Sequence, residues 1–141
     1  MIKNITVREI EYIAEKLAQE FFLINEYVAD ISSRPADVLE HCLSEAFQAI
    51  EKKFIYPDLL SRAGIFFYLM IKKSPFECCN KRIAVTTLLA FLFANNKWLM
   101  VDPRKLLRFS RWVGDSLPEF KEEVVMATEK FLRKHTVNLE G

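Results

Sequence analysis

Between Lys73 and Arg82 the chain reads Lys-Ser-Pro-Phe-Glu-Cys-Cys-Asn-Lys-Arg. A hydroxyl (Ser74), a carboxylate (Glu77), two thiols (Cys78, Cys79), an amide (Asn80) and two cations (Lys81, Arg82) fall within ten residues. The chemistry this pattern suggests is anion binding. Pro75 interrupts helix, and Asn80-Lys81-Arg82 opens a new one, where unpaired backbone N–H groups and the helix dipole favour a negative ligand. Two cations in a first turn run against that dipole, and a bound phosphate would account for them. Metal ligation by Cys78 and Cys79, joined by Cys42 or His41, is the sharper alternative. Adjacent cysteines lack the usual ligand spacing, and two small, partly buried thiols explain them more simply.

The elements that position this segment are two apolar runs, Ala63 to Ile71 before it and Ile83 to Ala94 after it. Each is helix-length and too short to span a bilayer. The first is apolar around its whole circumference, which marks a buried central helix, predicted over Asp58 to Lys73. The second carries Thr86 and Thr87, whose hydroxyls can bond back to the preceding turn. Thr6-x-x-Glu9 is a capping box opening a first helix with Ile10, Ile13, Leu17 and Phe21 on its stripe. Phe22 to Arg34 reads as a connection. Pro35 begins a second helix with Val38, Leu39, Cys42, Leu43, Ala46 and Phe47 on its apolar side, His41 lying just off it.

Further on, Asp102-Pro103 starts a helix with Leu106, Leu107, Phe109, Trp112 and Val113 as its buried side and Gly114 as its end. Ser116-Leu117-Pro118-Glu119 repeats the start signal, and Phe120, Val124, Ala127 and Phe131 form the last stripe. Arg133, Lys134 and His135 suit that helix's C-terminal dipole. Twelve Phe, 51% hydrophobic residues and only three Gly in 141 residues favour one well-filled, all-α domain with about six or seven helices.

Ser74-Pro75-Phe76-Glu77-Cys78-Cys79-Asn80-Lys81-Arg82 resembles the signature of Fic/Doc proteins, His-Pro-Phe-x-(Asp/Glu/Asn)-Gly-Asn-(Gly/Lys)-Arg, and its ending is nearest the Doc (death-on-curing) branch. Tyr56-Pro57 with the apolar run after it, and Asn96-Lys97-Trp98-Leu99 beyond the second run, extend the likeness over Leu39 to Leu106. The resemblance implies a single-domain helical bundle of the Fic/Doc type over residues 1–141. It also implies a flap at Lys52, Lys53, Phe54 and Ile55, where β-favourable residues could hold a target by strand pairing. It makes Phe76 the anchor of the loop, and Asn80, Lys81, Arg82 and Cys79 the phosphate-binding turn. The cofactors implied are ATP and Mg²⁺. The reaction implied is transfer of AMP or phosphate to a protein hydroxyl, in a toxin–antitoxin or prophage-maintenance setting, with an antitoxin acting in trans.

Three positions depart from that signature. Ser74 stands where the family has its general-base His, and a hydroxyl is no effective base near neutral pH; losing such a base costs about 10²- to 10⁴-fold in rate. Cys78 stands at the metal-binding position, a soft ligand for an ion that wants oxygen, with Glu77 one residue away as the substitute. Cys79 stands where the family has Gly.

A weak or inactive family member that keeps phosphate binding is therefore expected. The alternatives are an active transferase using another base and a non-catalytic helical interaction module. The net charge of +1 gives no general reason to expect nucleic acid or a membrane as partner, so any basic function must be local. Three cysteines and no visible leader fit a reducing cytoplasm.

Overall fold

The computed structural model of the chain describes residues 2–23, 36–50, 53–54, 56–76 and 79–139. In chain order the elements are α1 (Val7–Leu23), α2 (Ala36–Ala46), β1 (Ala49–Ile50), β2 (Lys53–Phe54), α3 (Leu59–Lys73), α4 (Asn80–Ala94) and β3 (Lys97–Leu99). They are followed by α5 (Pro103–Asp115), a 3-10 turn (Pro118–Phe120), α6 (Lys121–His135) and β4 (Thr136–Asn138). The protein is mostly helical, as the scarcity of turn residues predicts.

Helix starts follow local chemistry. The Thr6 N–H donates to Glu9 Oε1 at 2.8 Å and the Glu9 N–H donates to Thr6 Oγ1 at 3.2 Å, so the expected capping box forms. Helix α1 then runs to Leu23, slightly past the break expected at Phe22, and the remainder of that connection, with Pro35, lies outside the described residues. Asp58 caps α3 by accepting from the Ser61 N–H at 2.8 Å, while Ser61 Oγ accepts from the Asp58 N–H at 3.3 Å.

Every residue from Ser61 to Ile71 is buried, because α3 is enclosed by α2, α4, α5 and α6. Each large apolar side chain withdrawn from water this way contributes roughly 1.5 to 3 kcal/mol. Phe47, Phe66 and Phe91 meet at centroid separations of 5.8 to 6.4 Å and link α3 and α4 to the end of α2. Among the described residues no helix is long and apolar enough to cross a membrane.

Helix α4 is one-sided rather than buried all round. Ile83, Ala84, Thr87, Leu88, Phe91 and Leu92 face the core and Phe93 is exposed. Thr87 is buried, but its Oγ1 has no hydrogen-bond partner among the described residues, so the expected back-bond is not made there. An asparagine holds each end of this helix. Asn95 Oδ1 accepts from the Lys3 N–H at 2.7 Å and its Nδ2 donates to the Lys3 carbonyl at 2.9 Å. Asn80 does the same at the other end, to Phe76.

Three expectations for the C-terminal third are corrected. In α5 the buried side is Leu106, Ser110 and Val113, while Leu107 and Trp112 are exposed. The apolar residues are spread more widely than one face can cover, and packing on α3 and α4 selects the narrower set. Gly114 does not end α5: the helix continues to Asp115, no glycine among the described residues has positive φ, and Ser116 forms the cap. The second start signal yields the 3-10 turn, and α6 begins only at Lys121, with Val124, Thr128 and Leu132 as its buried residues. Phe120, expected on that stripe, is exposed.

The strand β3 was not anticipated. It pairs antiparallel with β4 in the register Lys97↔Asn138, Trp98↔Val137 and Leu99↔Thr136. Asn96 turns the chain into it with a φ of 61°, a left-handed conformation that asparagine tolerates.

Candidate functional site

The Lys73–Arg82 segment joins the C-terminal end of α3 to the start of α4. Ser74 terminates α3 in a left-handed conformation, φ 48° and ψ 63°, and its Oγ donates to the Ile71 carbonyl at 3.1 Å. The Ser74 hydroxyl is thus engaged in finishing a helix. Phe76 is 1% exposed, its side chain buried in the core.

Asn80 fixes the other side of the loop. Its Oδ1 accepts from the Phe76 N–H and its Nδ2 donates to the Phe76 carbonyl, each at 3.0 Å. The side chain expected to hold phosphate thus spends its oxygen and one amide hydrogen on the loop, which leaves the second Nδ2 hydrogen and the backbone N–H as donors. Cys79 caps α4 with φ 65° and ψ 25°, and its side chain makes no capping bond to the helix. Glu77 and Cys78, the two candidates for a metal, lie outside the described residues. Among the described residues no three His, Cys, Asp or Glu side chains come together as a metal site.

Lys81 and Arg82 are exposed on the first turn of α4. Lys81 reaches toward the last turn of α5, where a Cβ added at Gly114 would lie 2.9 Å from its Cε and 3.3 Å from its Nζ. Lys72 arrives at the same helix end from α3, its Nζ donating to the Gly114 carbonyl at 3.1 Å and to the Ser116 carbonyl at 2.5 Å. These two ammonium groups meet the negative end of α5. Sequence reasoning missed Lys72, because the partner helix end lies more than forty residues away.

Beside the first turn of α4 runs a groove of about 590 Å³ lined by Lys81, Arg82, Val85, Leu89, Trp98 and Leu107 among others. Its walls are mostly apolar and come from α1, α4, β3 and α5.

The expected flap region contains a short antiparallel pair, β1 with β2, in the register Ala49↔Phe54 and Ile50↔Lys53. Of the four flap residues, Lys53 and Phe54 form β2, and Lys52 and Ile55 lie outside the described residues. After the pair, buried Arg62 donates from Nε to the Tyr56 carbonyl at 2.7 Å, tying the hairpin's exit to α3.

A second cavity, of about 380 Å³, brings His41, Cys42, Glu45 and Lys73 together between α2 and α3. Burial pushes the Cys42 thiol up to about 11, against the opposing pull of Lys73. The thiol is buried and held protonated near neutral pH.

Comparison with protein-family models, with curated proteins and with solved structures found no match for this chain.

Proposed function

We propose that the protein is a Fic/Doc-like phosphate- or nucleotide-binding protein that does not turn over, with the binding turn at the start of α4. The observation that carries this reading is the backbone at Cys79. The resemblance puts a glycine at this position, and φ here is 65°, the left-handed region that glycine enters at no steric cost. The buried anchor Phe76, the capped loop and the hairpin before α3 support the same reading. ATP with Mg²⁺ is the ligand that the resemblance implies, in a cytoplasmic toxin–antitoxin or prophage-maintenance setting with an antitoxin in trans.

The absence of turnover follows from Ser74. Its hydroxyl is a poor base, and it is bonded to the Ile71 carbonyl. Backbone N–H groups of the first turn of α4, with Lys81 and Arg82, would receive the phosphate.

Calorimetric titration of wild type and Arg82→Ala with ATP, with and without Mg²⁺, tests the binding. The expected result is measurable binding that Arg82→Ala weakens about tenfold or more, a loss in the range of one charge-assisted contact. No binding by wild type would refute the proposal in favour of a helical interaction module. Incubation with radiolabelled ATP and cell extract tests the chemistry. Wild type is expected to label nothing, and Ser74→His with Cys78→Asp and Cys79→Gly to label a protein target. Strong labelling by wild type that Ser74→His leaves unchanged would show another residue to be the base.

A further inference from the structure

The expectation of no nucleic-acid partner rests on net charge, and net charge conceals how the charges are placed. Helix α5 carries Arg104, Lys105, Arg108 and Arg111, all exposed, against the single carboxylate of Asp115 at its end. The spacing of Arg104, Arg108 and Arg111 puts them on one face, turned away from the buried Leu106, Ser110 and Val113. Two surface cations of α6 are paired instead: Lys121 with Glu45 at 2.6 Å, and Arg133 with Asp58 at 2.9 Å and Glu129 at 2.6 Å. The four cations of α5 form no ion pair with any described residue. Their field reaches their neighbours. Burial, then Lys105 and Lys134, hold the His135 imidazole below its ordinary range.

Beside this stripe stands Trp112, 48% exposed on a helix whose core face is already filled. Its ring is backed by a column of aromatics. It lies 5.5 Å from Phe109, which in turn stacks on Phe131 of α6 at 4.2 Å with planes 11° apart. The tryptophan is thus a held, outward-facing platform next to a row of guanidinium groups.

We propose that the outer face of α5 binds a single strand of nucleic acid, with Arg104, Arg108 and Arg111 meeting its phosphates and Trp112 stacking on a base. Four residues of helix rise about 6 Å, so the stripe offers charges at regular intervals to a ligand that is itself regularly charged. An acidic protein would need no exposed base platform. A membrane surface would need more apolar side chains beyond the cations than Leu107 and Trp112 supply. A duplex keeps its bases stacked on one another and unavailable to the ring. The residues of this face belong to α5, whereas the turn proposed to hold nucleotide opens α4.

The test is fluorescence anisotropy of the full chain with labelled oligothymidylate and oligouridylate at about 50 and about 200 mM salt. Three phosphate contacts to a single strand predict a log–log salt slope near −2, a loss of roughly 20-fold across that range. Each single Arg→Gln change is expected to make the slope shallower by about 0.7, and Arg104→Gln with Arg108→Gln and Arg111→Gln to abolish binding. Trp112→Ala is expected to weaken binding about 5- to 100-fold and Trp112→Phe to recover most of it. Circular dichroism of the same variants checks that these exposed changes leave the helices intact. No binding at the lower salt, or binding unaffected by the triple Arg variant, would overturn the proposal. So would equal binding of duplex, of polyglutamate or of phosphatidylserine vesicles, or a Trp112→Ala variant that binds as wild type does.

Discussion

The side-chain amide of Asn80 stands in for a strand partner to Phe76, meeting both its N–H and its carbonyl at 3.0 Å. Removing it leaves two polar groups of a buried residue without their partner. Asn80→Ala is therefore expected to cost about 1 to 3 kcal/mol, and Asn80→Asp less, since it keeps the acceptor for the N–H. Urea midpoints at unchanged m-value measure this. A variant as stable as wild type would show that the contact is dispensable to the loop.

Cys79 holds φ at 65° with a side chain attached. A left-handed conformation costs an L-residue roughly 1 to 2 kcal/mol, part of which glycine returns as extra freedom in the unfolded chain. Cys79→Gly is expected to be more stable than Cys79→Ala by about 1 kcal/mol. Thermal unfolding of the two variants gives the comparison directly, and an Ala variant as stable as Gly would contradict the strain.

Gly114 lies inside α5, where alanine is worth roughly 0.5 to 1 kcal/mol more than glycine. The added Cβ would meet Lys81 Cε at 2.9 Å, the far end of a flexible side chain. Gly114→Ala alone should be close to neutral. In a Lys81→Ala background the same change should show its full stabilisation, and a double-mutant cycle reads the coupling between the two positions.

Cys42 is 1% exposed and its thiol is pushed up to about 11 from an ordinary 9.0, first by burial. Two units mean ~100-fold less thiolate near pH 8 than an unshifted thiol would carry. Native-state alkylation followed by peptide mass spectrometry is expected to leave Cys42 unmodified until the protein is unfolded. Modification in the folded protein at the rate of a small thiol would contradict its placement.

His135 is held below its ordinary value of 6.5 by burial and then by Lys105 and Lys134. The unfolded chain then binds the proton first as pH falls. The contribution is fully present above about pH 6.5 and is lost progressively as pH drops toward the depressed folded value. Wild type should lose more stability between pH 7 and 5 than His135→Phe does, and Lys105→Ala should fall between them. Parallel pH profiles for all three would show that His135 is not the titrating group.

Much of the helical framework is legible in the sequence, because capping and periodicity are local. Thr6 with Glu9, Asp58 before α3 and Asp102-Pro103 before α5 each announce a helix within four residues. The apolar circumference of Ala63 to Ile71 announces its burial. What stayed hidden depends on distant partners. The pairing of Lys97–Leu99 with Thr136–Asn138, and the burial choice within α5, are set by packing and not by propensity. For the candidate site, the sequence named the segment and its anchor Phe76. It could not foretell that the Asn80 side chain would be spent on the backbone of Phe76, that Lys81 would turn to α5, or that Lys72 would join it there. The basic stripe was visible in principle as Arg at i, i+4 and i+7, but it was obscured by reading Trp112 and Leu107 as core.

The β3–β4 ladder, with the Met100 N–H donating to the His135 carbonyl and the Leu139 N–H to the Asn96 carbonyl, closes α5 and α6 into a loop of about 40 residues. Such a closure acts as a non-covalent clasp. A protease that cut the connection at Ser116–Leu117 would sever the backbone without freeing either piece, since α5 would stay tethered through β3 and α6 through β4. The nicked protein should then migrate as one species on native gels and separate only in denaturant.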